Sequence, residues 1–162
     1  MINVDTDEIV WSSSYGGDAA TTGESGTPVS IALTPDIKTV YVTSGASGTL
    51  TIPSGVNELT VQGIDAATTV VTGGQIEVTN TGSLELTLID LDIKASDHKS
   101  AINATSSSSV LTLNCDNVKL TGGAGVTGTS SDNYSGDGIY AYALTIKGDL
   151  TAIGGNKRRH GD

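Results

Sequence analysis

A short apolar phrase with a polar or aromatic middle residue returns along the chain. It occurs as Leu59-Thr60-Val61, Leu86-Thr87-Leu88, Leu111-Thr112-Leu113 and Leu144-Thr145-Ile146, with Val40-Tyr41-Val42 as a looser first copy. The steps from Val40 to Leu59, Leu86, Leu111 and Leu144 are 19, 27, 25 and 33 residues. Irregular steps of roughly 20 to 30 residues mark a coil of one-turn repeats whose loops differ in length. Residues two apart on a strand point the same way, so the flanking Leu, Ile and Val face inward and the middle residue faces out. Thr60, Thr87, Thr112 and Thr145 are therefore expected to form one outer column.

Each copy is followed by a second apolar set: Ile64, then Leu91 with Ile93, Val118 with Leu120, and Leu150 with Ile153. A third appears in three passes, as Ile76-Glu77-Val78, Ile102-Asn103-Ala104 and Ile139-Tyr140-Ala141. Three short strands per turn predict an all-β fold, a right-handed parallel β-helix built as a three-sided solenoid of about four to five turns. Leu50-Thr51-Ile52 lies nine residues before Leu59 and so belongs to a different side, between corners at residues 44–48 and Pro53-Ser54-Gly55. A β-sandwich is the competing arrangement, but its strands usually fall at more even spacing.

Composition agrees with a slender aliphatic core. The 162 residues include no Phe, one Trp, 21 Gly and three Pro. Aliphatic side chains fill a narrow core, Gly, Ser, Asn and Asp supply corners, and strands paired on both sides need their N–H groups. Residues 1–36 read as a lead-in and cap, with Ile9, Val10 and Trp11 covering one end; Trp11 with Tyr15 as a sugar-stacking pair is the other reading of that stretch. Residues 37–155 carry the repeats and 156–162 form a charged tail. The stop just after Ile153 leads us to expect further turns, a partner or a truncation.

The formal charge is −10, and outside residues 157–162 it is −12. Such a surface repels nucleic acid, and Lys157, Arg158 and Arg159 are too few to reverse that. No stretch is apolar enough to span a bilayer, and no basic-then-apolar export signal is part of this chain. The lone Cys115 is expected inward as a small apolar residue, because His98 and His160 have no spacing that suggests a catalytic partner.

From Leu111 to Gly155 the sequence resembles a known group. The runs Leu-Thr-Leu-Asn-Cys-Asp-Asn-Val-Lys-Leu-Thr-Gly-Gly, Ser-Gly-Asp-Gly-Ile-Tyr-Ala-Tyr-Ala-Leu-Thr-Ile-Lys-Gly and Leu-Thr-Ala-Ile-Gly-Gly-Asn are similar to the Gly-rich repeats of right-handed, pectate-lyase-like β-helix domains in bacterial cell-surface proteins, some of which bind carbohydrate. The resemblance implies an extracellular or cell-surface, polysaccharide-associated role, with calcium in the acidic corners. It implies no catalytic set that maps onto these residues.

Three chemistries have candidate residues. Calcium wants six to eight oxygens, and stacked corners bring Asp90, Asp92, Asp116 and Asn117 near one another; Asp132, Asn133 and Asp137 are a second acidic set. Their alternative role is to bond local backbone N–H groups without a metal. For sugar, Tyr134 and Tyr140 offer ring faces near the largest loop, with Asp137, Asn103 and Glu77 as polar neighbours, while Tyr142 is expected to fill core. For a calcium-dependent polysaccharide lyase, Lys94 or Lys119 would be the base, although Lys–Asp alternation that solvates an outer face explains them as well.

The sequence thus points to a non-catalytic polysaccharide-binding module, possessing calcium if the resemblance extends that far. The alternative is a stalk, adhesin or fibre unit that self-associates end to end.

Overall fold

The computed structural model describes residues 8–11, 30–125 and 135–156. Alternating β-branched or aliphatic and polar residues favour a half-buried pleated surface, and the described residues form strands and turns without helix. The strands are β1 (Glu8–Trp11), β2 (Ser30–Ala32), β3 (Thr39–Val42), β4 (Gly48–Ile52), β5 (Glu58–Gly63) and β6 (Thr69–Thr72), followed by β7 (Gly74–Val78), β8 (Ser83–Lys94), β9 (Ile102–Ala104), β10 (Val110–Thr121), β11 (Ile139–Ala141) and β12 (Ala143–Ile153). Every pairing is parallel. The larger sheet has the order β1-β3-β5-β8-β10-β12, with β6 beside β8, and the smaller has the order β2-β4-β7-β9-β11.

The three-sided right-handed parallel β-helix of four to five turns expected from the sequence is not the architecture found. Two all-parallel sheets are present, and the residues assigned to a second side continue the strands of the first. Leu91 and Ile93 lie in β8, Val118 and Leu120 in β10, and Leu150 in β12. The reason is local backbone conformation. Asp90, Asn117 and Gly148 take φ of 53°, 54° and 88°, which redirects each strand without ending its ladder. At Gly148 a Cβ would lie 2.0 Å from the Cys115 carbonyl oxygen, so only glycine fits there. In the preceding pass the same path is divided between β5 and β6. Ile64 is exposed in the gap, and Val71, opposite Ile93, supplies the inward residue instead.

Register also corrects the expected Thr column. Thr60 pairs with Thr87, but Thr87 pairs with Asn114, and Thr112 pairs with Glu85 and Thr145. Two columns result: Thr39, Thr60, Thr87, Asn114 and Lys147 in one, and Glu58, Glu85, Thr112 and Thr145 in the other. A slip of two residues keeps every side chain on its own face, so the apolar pattern tolerates it where a slip of one would invert the strand. The same parity places Ala152 inward beside Leu120, and Ile153 outward beside Thr121.

Inward residues of both sheets make one core, from Trp11 through Leu59, Leu86 and Leu113 to Leu120. In the smaller sheet, Leu50, Ile76, Ile102 and Ile139 share one register position, which upholds the assignment of Leu50 to a different side from Leu59. Trp11 is fully buried, and its indole N–H donates to the Ser47 carbonyl at 2.9 Å. The side chains of Ile9 and Val10, named with Trp11 as the expected cap, and all of Tyr15, lie outside the described residues. Corners are tied by side chains as well. Buried Asn80 donates to the Val56 carbonyl and accepts from Gly82 N–H at 2.6 Å, and the Ser109 hydroxyl donates to the Asn80 carbonyl. Another corner needs bare backbone: Gly123 N–H donates to Lys99, Gly136 to Gly123 and Gly155 to Gly136, each at 2.8 Å.

Two outcomes follow from these contacts. Trp11→Ala removes a fully buried aromatic together with its hydrogen bond, and should cost about 3–5 kcal/mol in urea unfolding. Asp65 accepts from the hydroxyl and the backbone N–H of Ser44, and the hydroxyl bond holds its carboxyl below the ordinary carboxylate value. A lowered folded pKa stabilises above the unfolded value of about 3.9 and is lost as pH falls through the folded value. The melting-temperature gap between wild type and Asp65→Asn should therefore be present at pH 7 and close in acid.

Candidate functional site

The outer face of the smaller sheet carries a continuous polar line. Thr51 pairs with Glu77, Glu77 with Asn103, and Asn103 with Tyr140, one residue from each of β4, β7, β9 and β11. Their flanking neighbours Leu50 and Ile52, Ile76 and Val78, and Ile102 and Ala104 are buried, so period-two alternation turns the central side chains outward. Three of the five residues proposed for sugar contact, Glu77, Asn103 and Tyr140, are thereby brought onto adjacent rungs. Asp137 is exposed just before β11, where its backbone N–H donates to the Ser100 hydroxyl at 3.1 Å. Tyr134 lies outside the described residues, as do Asp132 and Asn133.

The aromatic end of this line is a pair. Tyr140 and Tyr142 meet edge to face with centroids 6.1 Å apart, and they are 43% and 61% exposed. Tyr142 does not fill core, as the sequence suggested. It sits in the bend between β11 and β12, while Ile139 and Ala141 take the inward positions. Its hydrogen bond to Tyr140 is the main influence pushing the Tyr140 phenol pKa up, with charge on Tyr142, desolvation and Asp137 acting in the same direction. Tyr140 is thus a neutral hydroxyl donor at physiological pH.

A second surface lies where the long strands bend. A groove of about 310 Å³ is lined by Thr68, Asp92, Asn117, Val118, Lys119, Asp149 and Thr151. Asp92, Lys119 and Thr151 share one register line, and Asn117 donates from its side-chain amide to Asp90 at 2.8 Å and to Thr68 at 3.0 Å. Asp92 approaches the Lys94 ammonium at 3.5 Å through one oxygen, and its other oxygen is buried without a hydrogen-bond partner. Lys94 and Lys119 are not equivalent in register: Lys119 pairs with Asp92, and Lys94 with Thr121. Thr68, Asp149 and Thr151 were not singled out from the sequence, because only the bend and the register bring them beside Asn117 and Lys119.

The four residues expected to hold calcium have the following surroundings. One oxygen of Asp90 accepts from an amide, Asp92 is drawn to Lys94, and Asp116 is an exposed residue opposite Ile89. Among the described residues, no three His, Cys, Asp or Glu side chains converge in a way that suits a metal. The polar corner is held by side-chain hydrogen bonds, the alternative role for Asp and Asn at such positions. Cys115 lies inward between Leu88 and Gly148, where burial pushes its thiol up to about 11, so it is not a ready thiolate at neutral pH.

No helix among the described residues is long and apolar enough to cross a membrane. Comparison with protein-family models, with curated proteins and with solved structures finds no match for this chain. Its function is accordingly read from its own side chains.

The bend that shapes the groove has a direct test. An alanine at position 117 would hold the left-handed conformation at a cost of about 1–2 kcal/mol and lose both amide bonds, whereas glycine adopts that φ freely. Chemical denaturation should rank wild type above Asn117→Gly, and Asn117→Gly above Asn117→Ala.

Proposed function

We propose that the protein is a non-catalytic polysaccharide-binding module of an extracellular or cell-surface protein, holding an extended glycan across the outer face of the smaller sheet. The observation that carries this reading is the line of Glu77, Asn103 and Tyr140 on adjacent rungs. Parallel strands lie about 4.8 Å apart, a spacing comparable to the length of one pyranose unit, so successive rungs meet successive sugars. Asn103 both donates and accepts, Glu77 accepts from sugar hydroxyls, and Tyr140 offers a ring face for stacking and a hydroxyl for bonding. Tyr142, packed edge-on against Tyr140, limits the rotation of that ring.

The contact uses no metal, and a chelator is expected to leave it unchanged. It also calls for no bond cleavage, so bound polysaccharide should be recovered intact.

Glycan-array screening followed by calorimetry tests the proposal. Neutral and acidic polysaccharides are titrated into wild type, Tyr140→Ala, Asn103→Ala and Lys119→Ala. The two ladder variants should each weaken binding about tenfold, which corresponds to about 1.4 kcal/mol, while Lys119→Ala binds as wild type. Binding to no glycan would overturn the reading. Loss of binding in Lys119→Ala alone would move the site to the groove, and uronate unsaturation detected by absorbance would replace binding with lyase chemistry.

A further inference from the structure

The smaller sheet carries charge of one sign. Its strands β2, β4, β7, β9 and β11 contain no Lys, Arg or His, and their single charged residue is Glu77. Glu77 is half-buried on the outer face, and among the described residues no Lys or Arg side chain pairs with its carboxylate. A second acid stands at the far end of the line. Asp137 is exposed just before β11, and its charge reaches Tyr140, where it helps to push the phenol pKa up. His98 and Lys99 lie in the corner before β9 and not on the strands.

Spacing adds an independent constraint. The Asn103 rung separates Glu77 from Tyr140, so the two stand two strand spacings apart, about 9.6 Å. An extended glycan with one pyranose per rung, whose units alternate in facing, presents the same substituent to the same side at every second unit. Glu77 and the Tyr140 end therefore meet equivalent substituents, and neutral Asn103 meets the ring between them. A cationic substituent suits both ends. Glu77 accepts its N–H groups in charge-assisted hydrogen bonds, and the ring face of Tyr140, beside Asp137, attracts a positive charge. A uronate or sulfate would set negative charge against Glu77, with no base on the five strands to offset it.

We infer that the glycan held on this face is a polymer of amino sugars with free, protonated amines, read by Glu77 at one rung and by Tyr140 with Asp137 two rungs on. The inference rests on the polysaccharide-binding reading of the same line and adds to it the chemical class of the sugar.

Calorimetry on the full chain with linear probes of equal length provides the test: a glucosamine oligomer, its N-acetylated form, a glucose oligomer and a galacturonate oligomer. Glucosamine should bind about tenfold tighter than the N-acetylated and glucose oligomers, the discrimination expected of charge-assisted bonds, and galacturonate should bind weakest. Added salt should shrink that preference. Glu77→Gln should erase it, and Asp137→Asn should reduce it. Glu58 is exposed on the outer face of the larger sheet, so Glu58→Gln removes the same charge elsewhere and should leave the preference intact. Equal affinity for the glucosamine and N-acetylated oligomers, or tighter binding of galacturonate, would overturn the inference and leave glycan binding standing. Equal losses in Glu77→Gln and Glu58→Gln would also overturn it, because attraction of a polycation to an acidic protein would then account for the preference. Binding of none of the probes would overturn the glycan reading as well.

Discussion

The structure depends on parallel backbone pairing between successive passes of the chain. Each pass lays its strands beside those of the previous pass, and the hydrogen bonds that hold them also stack their side chains rung upon rung. Leu59, Leu86, Leu113 and Ile146 form one such line in the larger sheet; Leu50, Ile76, Ile102 and Ile139 form another in the smaller. A core made this way needs no large aromatic set, because each aliphatic side chain is covered by its counterparts on the neighbouring rungs. The exception is Trp11 at the first rung, where no earlier described strand covers the core and a bulky ring fills it.

The same pairing explains what happens at the bends. Breaking a long strand would leave buried backbone groups without partners, so β8, β10 and β12 turn instead through single residues with positive φ. Asn and Asp tolerate that conformation better than most residues, and glycine tolerates it best. The polar character of the groove is therefore partly a by-product of the turn. Asp90 and Asn117 shape the backbone and bond one another. Acidic residues clustered in sequence had two readings, and their hydrogen bonds favour the structural one.

Much of this was legible from residue spacing. The Leu-Thr-Leu phrases identified strands whose flanking residues face inward, and Leu50 separated from Leu59 into another sheet. The outward positions of Glu77, Asn103 and Tyr140 followed from the apolar residues on either side of each. Register was not legible, because a period of two is satisfied equally by any even slip; Thr112 consequently stands beside Glu85 rather than Thr87. Nor was the number of sheets, since Leu91 and Ile93 carry the same inward pattern whether a corner separates them from Leu88 or a single left-handed residue joins them to it. A bend near Tyr142 was legible from parity, since Tyr140 and Tyr142 would otherwise share a face with Leu144 and Ile146, but the exposure of Tyr142 itself was not.

By itself the sequence determined that the described residues form strands, and which side chains along a strand share a face, because alternation of apolar and polar residues acts through strand geometry alone. Tertiary structure decided how many sheets those strands make, which residues become neighbours across them, and where a core is left open at Leu144 and Ile146. Those outcomes turn on even-numbered register slips, on φ at three residues and on what covers a strand's second edge, and none of these changes the alternation that the sequence displays.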